Sequence, residues 1–164
     1  MAEKENIRIT LKCHSDTLTD TPQSAQQLME EINLQNVLLY WQPAESLSVE
    51  QRIESLPNLA PWITNVHIFH WEDFYNRFPL ADGFEEWKQY LAIIDKEALH
   101  NHHYLLEFVP DDEAKAFYES AEKLKKISRY FIIKKQIAER ENVELNCILF
   151  FLSVKFVKIL FYSE

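Results

Sequence analysis

Glu107 stands in the run Leu105-Leu106-Glu107-Phe108-Val109. A carboxylate among apolar strand residues costs free energy unless it has a partner or a task. That makes Glu107 the first candidate for proton transfer, as general acid or base. His67, inside Val66-His67-Ile68-Phe69, is a second candidate, and His70 follows three residues later. Side chains three apart on a strand point to opposite faces, so only one of the two imidazoles can share a face with Glu107. His14 and Gln42 close two further apolar stretches. Arg77 lies in Asn76-Arg77-Phe78-Pro79, where its planar fork would suit a phosphate or carboxylate. Each has a plainer reading: a hydrogen-bonded core histidine for His67, and a surface arginine tying down a loop for Arg77.

Several chemistries are excluded. A single glycine, Gly83, leaves no Gly-rich phosphate cradle, and no Gly-x-Ser-x-Gly elbow occurs. Cys13 and His14 are adjacent, so on a strand they face opposite sides and do not form a nucleophile–base pair. His100, His102 and His103 precede a strand, at the end away from strand-end chemistry. They read as an exposed loop with, at most, a weak transition-metal site.

The elements that must position these groups alternate along the chain. Ile7–Leu11, Val37–Trp41, Ile63–Phe69 and Tyr104–Val109 read as strands. Between them, Thr21 with Pro22 and Ser48 with Gln51 open two helices. Phe84, Trp87, Leu91 and Ile94 form the apolar face of a third. Asp111 or Asp112 is expected to cap a fourth, with Ala114, Phe117, Ala121 and Leu124 facing the core. Four strand–helix repeats of this kind predict an α/β fold with a parallel sheet and right-handed crossovers. In such folds chemistry sits at the carboxyl ends of the strands, where His14, Gln42, His67 with His70, and Glu107 fall.

The chain has 164 residues, two cysteines and a formal charge of −9. It is one ordinary domain in length, too short for a complete eight-fold barrel of roughly 250 residues. The charge excludes nucleic acid as an expected partner. Met1–Asn6 carry no apolar signal region, so a cytoplasmic location with reduced cysteines is expected. Charge divides the chain: 11 Lys and Arg against 22 Asp and Glu up to residue 126, then 6 against 4. Residues 1–126 are therefore read as the α/β unit and 127–164 as a C-terminal extension. Ile127–Asn142 suits a mixed helix, and Cys147–Tyr162 holds 13 apolar residues in 16. Its length and its lysines argue against a membrane span, which takes about 20 apolar residues with few charges.

Five segments together carry a resemblance: Leu18-Thr19-Asp20-Thr21, Leu39-Tyr40-Trp41-Gln42-Pro43, Asn65 to Trp71, Arg77 to Gly83, and Leu106-Glu107-Phe108-Val109-Pro110. Over residues 7–126 the sequence resembles the second half of the sugar phosphate isomerase/epimerase family, the xylose isomerase-like TIM barrels. The resemblance implies a half-barrel of strands five to eight, with residues 127–164 outside the family. It implies aldose–ketose isomerisation or epimerisation of a small sugar or sugar phosphate, assisted by a divalent metal such as Mn, Mg, Co or Zn.

It also implies roles. His67 and Glu107 fall on metal positions, Glu107 doubling as the acid/base, and Arg77 falls on a substrate-contacting position. His14 and Trp41 are further candidate substrate contacts. Trp41, Trp71 and Phe69 could stack on a sugar ring, although such aromatics are more often core. Two positions depart from the pattern: Lys12 stands where a Glu is expected and Gln42 where an Asp is expected. A protonated lysine cannot ligate a metal and an amide brings no charge, so metal binding is expected to be weak or absent. Lys12 could instead pair with Glu107 across the site in place of the metal's charge, although a lysine at a strand end is more often simply solvated. The chain alone is expected to be a weak or inactive isomerase. The alternatives are a non-catalytic half-barrel that dimerises or pairs with a first-half chain and, less favoured, an abasic-site endonuclease-like barrel.

Overall fold

A computed structural model describes residues 2–145 except Phe74, with side chains followed as far as Arg129. The expected alternation is present: β1 (Ile9–Lys12), α1 (Pro22–Ile32), β2 (Val37–Trp41), α2 (Val49–Leu59), β3 (Ile63–Ile68), α3 (Phe84–Glu97), β4 (His103–Leu106) and α4 (Ala114–Leu145). The four strands form one parallel sheet in sequence order, β1-β2-β3-β4. The fold is α/β.

Local chemistry explains the helix starts. Thr21 accepts a hydrogen bond from Ser24 N–H while the Ser24 hydroxyl accepts from Thr21 N–H, and Pro22 takes the first position. Ser48 and Gln51 make the same reciprocal pair at α2. Both devices satisfy amide groups that the first helical turn leaves without partners. The fourth start differs from expectation. Asp111 and Asp112 lie in the 3-10 turn Pro110–Asp112 with φ of 54° and 53°, and Glu113 separates them from the helix start at Ala114.

One core joins all four helices to one face of the sheet. Ala25 and Met29 of α1, Leu56 and Leu59 of α2, Trp87, Tyr90, Leu91 and Ile94 of α3, and Leu124 and Ile127 of α4 belong to it. From the sheet it takes Leu39, Trp41, Ile63, Val66, Ile68 and Tyr104. Alternation then turns Lys12, Tyr40, Gln42, Asn65, His67, Leu105 and Glu107 to the other face. Ile63 and Val66 share the core face despite their odd spacing because Thr64 is an extra residue. Leu39 pairs with Ile63 and Tyr40 with Asn65, leaving Thr64 as a bulge. That bulge sets which side His67 faces.

β4 is shorter than the sequence suggests. It ends at Leu106, since Phe108 adopts a left-handed φ of 52° and turns the chain off the sheet. β1 starts two residues late because Ile7 N–H bonds back to Ala2 C=O in the N-terminal turn. The composition break near residue 127 falls inside α4, which runs unbroken through it, and Ile127 itself is fully buried. Among the described residues no helix is long and apolar enough to cross a membrane. The apolar stretch Cys147–Tyr162 lies outside the described residues.

The lone glycine is fixed by close approach. A Cβ on Gly83 would overlap the His70 ring, which packs directly on this residue at the start of α3. Gly83→Ala is expected to cost about 1–3 kcal/mol of stability, the usual penalty for overpacking. In a His70→Ala background most of that penalty should vanish, which a double-mutant cycle by urea unfolding would measure.

Candidate functional site

Side chains from all four strands or their ends meet at the carboxyl ends, on the face opposite the core. Lys12 Nζ of β1 lies 3.8 Å from Glu107 Oε1, just beyond β4. In a flat sheet these two strands would stand ~14 Å apart at ordinary strand spacing. The contact therefore spans the concave face of a curved sheet. Both side chains are about one-third exposed, 35% and 28%, so solvent screens the pair and its stabilising effect is small.

His67 completes the group. Its Nδ1 lies 2.7 Å from Glu107 Oε2 and 3.3 Å from Gln42 Oε1. Two oxygens facing one ring nitrogen require a proton there, so the geometry assigns the Nδ1–H tautomer. The N–H points toward Gln42, which leaves Glu107 Oε2 buried, close to the ring, and without a well-aligned hydrogen bond. Tyr40 packs on the other side of the ring, with centroids 4.1 Å apart. His70 faces elsewhere, onto Gly83 and Phe78. The spacing of three between the histidines thus divides them as alternation requires.

A cavity of about 300 Å³ opens beside the group, between the ends of β1 and β2 and the starts of α1 and α2. Cys13, His14, Trp41, Gln42, Arg52 and Trp71 are among its lining residues. Gln42 is shared, touching His67 on one side and the cavity on the other. His14 is exposed there, with Nδ1 3.1 Å from the Ser15 carbonyl. Trp41 contributes little open surface. It is buried edge-on against Trp87 and Tyr90, as a core residue would be.

Arg52 was not visible as a site residue from the sequence. Its Nε donates to Ala44 C=O at 2.8 Å, and Nη1 pairs with Glu86 Oε1 at 3.1 Å. Tyr90 Oη donates to the same carboxylate oxygen at 2.7 Å. Glu86 lies 34 residues away, so no local pattern announces the pair. Arg77 is placed away from the cavity. Nη1 contacts Asp112 Oδ1 at 2.6 Å and the guanidinium sits over the Phe108 ring at 5.2 Å. In this position it joins two loops. His102 and Tyr104 Oη meet at 2.9 Å at the opposite end of β4.

These donors do not suit a divalent cation. His67 and Glu107 are the only strong metal ligands in the group, Gln42 offers a neutral carbonyl oxygen alone, and the Lys12 ammonium lies against the Glu107 carboxylate. Among the described residues no three His, Cys, Asp or Glu side chains gather as a cation would need. Comparisons with protein-family models, with curated proteins and with solved structures find no match to the chain.

Cys13 borders the cavity from the core side, and burial pushes its thiol up to about 12 from an ordinary 9.0. It therefore stays protonated at pH 8 and makes a poor nucleophile. In a Cys147→Ser protein, a disulfide reagent at pH 8 is expected to label Cys13 only as the chain unfolds in urea. The raised value also implies stability that is full below pH 9 and lost as pH rises from there toward 12.

Proposed function

We propose that the chain is the second half of a sugar (phosphate) isomerase- or epimerase-like barrel, and that its strand-end group moves a proton beside the carbonyl of a small sugar or sugar phosphate. The supporting observation is the convergence of Lys12, Gln42, His67 and Glu107, one from each successive strand or its end. They meet at the carboxyl ends of a parallel sheet whose helices all pack on the opposite face. Sequential strand order with helices on one side is the layout of a β/α barrel cut in half.

The chemistry follows from the four groups. Glu107 takes the proton from the carbon next to the carbonyl. The Lys12 ammonium, 3.8 Å from that carboxylate, stabilises the negative oxygen of the resulting enediolate, where a barrel with more carboxylates would hold a cation. His67 N–H and the Gln42 amide orient the carboxylate and the sugar hydroxyls. Glu107 is the one carboxylate within the Lys12–Gln42–His67–Glu107 group, Asp20 and Glu45 standing apart on the wall of the adjoining cavity, so the proton leaves and returns on the Glu107 face. That favours aldose–ketose isomerisation over an epimerisation needing bases on both faces.

Incubation with aldose and ketose phosphates in D2O tests the reading. Deuterium wash-in next to the carbonyl, followed by NMR, is expected above the buffer rate and to fall by about 10²–10⁴ in Glu107→Gln. Adding Mn²⁺ or Mg²⁺ should leave the rate unchanged. Wash-in no faster than buffer across such sugars sinks the proposal.

The open sheet supports a second reading, a non-catalytic half-barrel that associates. Among the described residues β1 pairs only with β2 and β4 only with β3, so both edges present unpaired backbone groups. Ile7 and Ile9 are exposed beside the β1 edge. Light scattering that returns a dimer with catalytically silent protein would favour this reading, and a monomer would exclude the homodimer.

A further inference from the structure

The loop after β4 is held in a conformation that its residues do not choose for themselves. Phe108 has φ 52°, and Asp111 and Asp112 have φ 54° and 53°. For aspartate the left-handed region is tolerable, but for an aromatic side chain it costs roughly 1–3 kcal/mol and persists only where the surroundings enforce it. Those surroundings are explicit. The Phe108 ring stacks on Trp71, with centroids 4.6 Å apart and planes 19° apart. Phe69 meets it edge-on at 5.5 Å, and the Arg77 guanidinium lies 5.2 Å over it. Arg77 then reaches Asp112 at 2.6 Å, and Trp71 and Arg77 are themselves bridged across their own loop. The β3–α3 and β4–α4 loops are thereby clasped together, with Trp71 and Phe108 on the wall of the cavity that Gln42 also lines.

The strained residue immediately follows Glu107. Glu107 N–H still bonds to Ile68 C=O at 3.1 Å, so the backbone on its amino side belongs to the sheet. On its carboxyl side the chain turns away at once. The direction of the Glu107 side chain is therefore bounded by the sheet before it and by the Phe108 turn after it. Its Oε2 sits 2.7 Å from His67 Nδ1 without an aligned hydrogen bond of its own, a placement imposed from outside.

We infer that Phe108 is a positioning residue: its left-handed backbone, held by the Trp71 stack and Arg77, aims the Glu107 carboxylate at His67. This rests on the reading of Lys12, Gln42, His67 and Glu107 as the working group. The clasp acts through Glu107 and does not touch substrate.

The test reads the His67 tautomer, which a generally weakened fold would not change while the protein stays folded. Long-range ¹H–¹⁵N spectra of histidine-labelled protein are expected to give the Nδ1–H form for His67 in the wild type. Glu107→Gln provides the spectrum of a weakened contact. Phe108→Ala keeps a Cβ at the strained position and removes the stack. It should lower the ratio of Nδ1–H to Nε2–H by about fivefold, because the Glu107 carboxylate no longer holds its negative charge beside the Nδ1 proton. Phe108→Tyr should restore the wild-type spectrum, and Ser48→Ala, which weakens the cap of α2 outside the cavity lining, should leave it unchanged. If Phe108→Ala does not fold, Trp71→Leu removes the stack from the other side and should give the same fivefold change. A folded Phe108→Ala or Trp71→Leu with the wild-type ratio overturns the positioning role alone. An Nε2–H form in the wild type would instead remove the Glu107–His67 contact, and with it both the clasp and the group on which the proposed function rests.

Discussion

Trp87 donates its indole N–H to the carbonyl of Phe69 at 2.7 Å, inside the core. Phe69 is the first residue past β3, where the ladder no longer supplies partners for backbone groups. A buried carbonyl without a donor costs on the order of 1–3 kcal/mol, and Trp87 removes that cost from within α3. The same ring is packed edge-on by Trp41, Phe69 and Tyr90. This one bond therefore fixes where β3 stops, how α3 sits against it, and where the chain departs toward Trp71. The position of His67, two residues before Phe69, and the stack on Phe108 both follow from it.

The sheet imposes a second constraint. Helices on one face leave alternate strand residues facing outward, and those residues must be polar or pair among themselves. Near the amino ends the outward positions are quiet: Thr10 is exposed and Leu38 is buried outside the main core. Near the carboxyl ends they become Lys12, Tyr40, Gln42, His67 and Glu107. Charge and hydrogen-bonding capacity are thus concentrated at one end of the concave face, where the sheet's curvature brings the two edge strands within reach of each other.

Much of this was legible in the chain. Both capping boxes could be read because their partners lie three residues apart, and the strands because their apolar runs are bounded by polar punctuation. Glu107 and His67 stood out because a titratable side chain in an apolar run needs a reason. What escaped was everything that depends on partners distant in sequence. The Thr64 bulge exists only in the pairing of β2 with β3. The turn at Phe108 is enforced by Trp71 and Arg77, so residues 107–109, which look like strand, leave the sheet. Arg52 was hidden because its partner comes from the next helix. Asp111 and Asp112 carried a capping signal, but the turn they occupy delays the helix to Ala114.

The scarcity of glycine has a consequence for how the chain resists unfolding. Gly83 has negative φ, and the left-handed positions are filled by Asn6, Asp16, Asn33, Phe108, Asp111 and Asp112. Each of these has a side chain that already narrows the backbone's choices before folding. A random coil of this composition wanders less than one sprinkled with glycine, so ordering it forfeits less entropy. Part of the molecule's stability therefore resides in the stiffness of its unfolded ensemble, where no inventory of native contacts would find it.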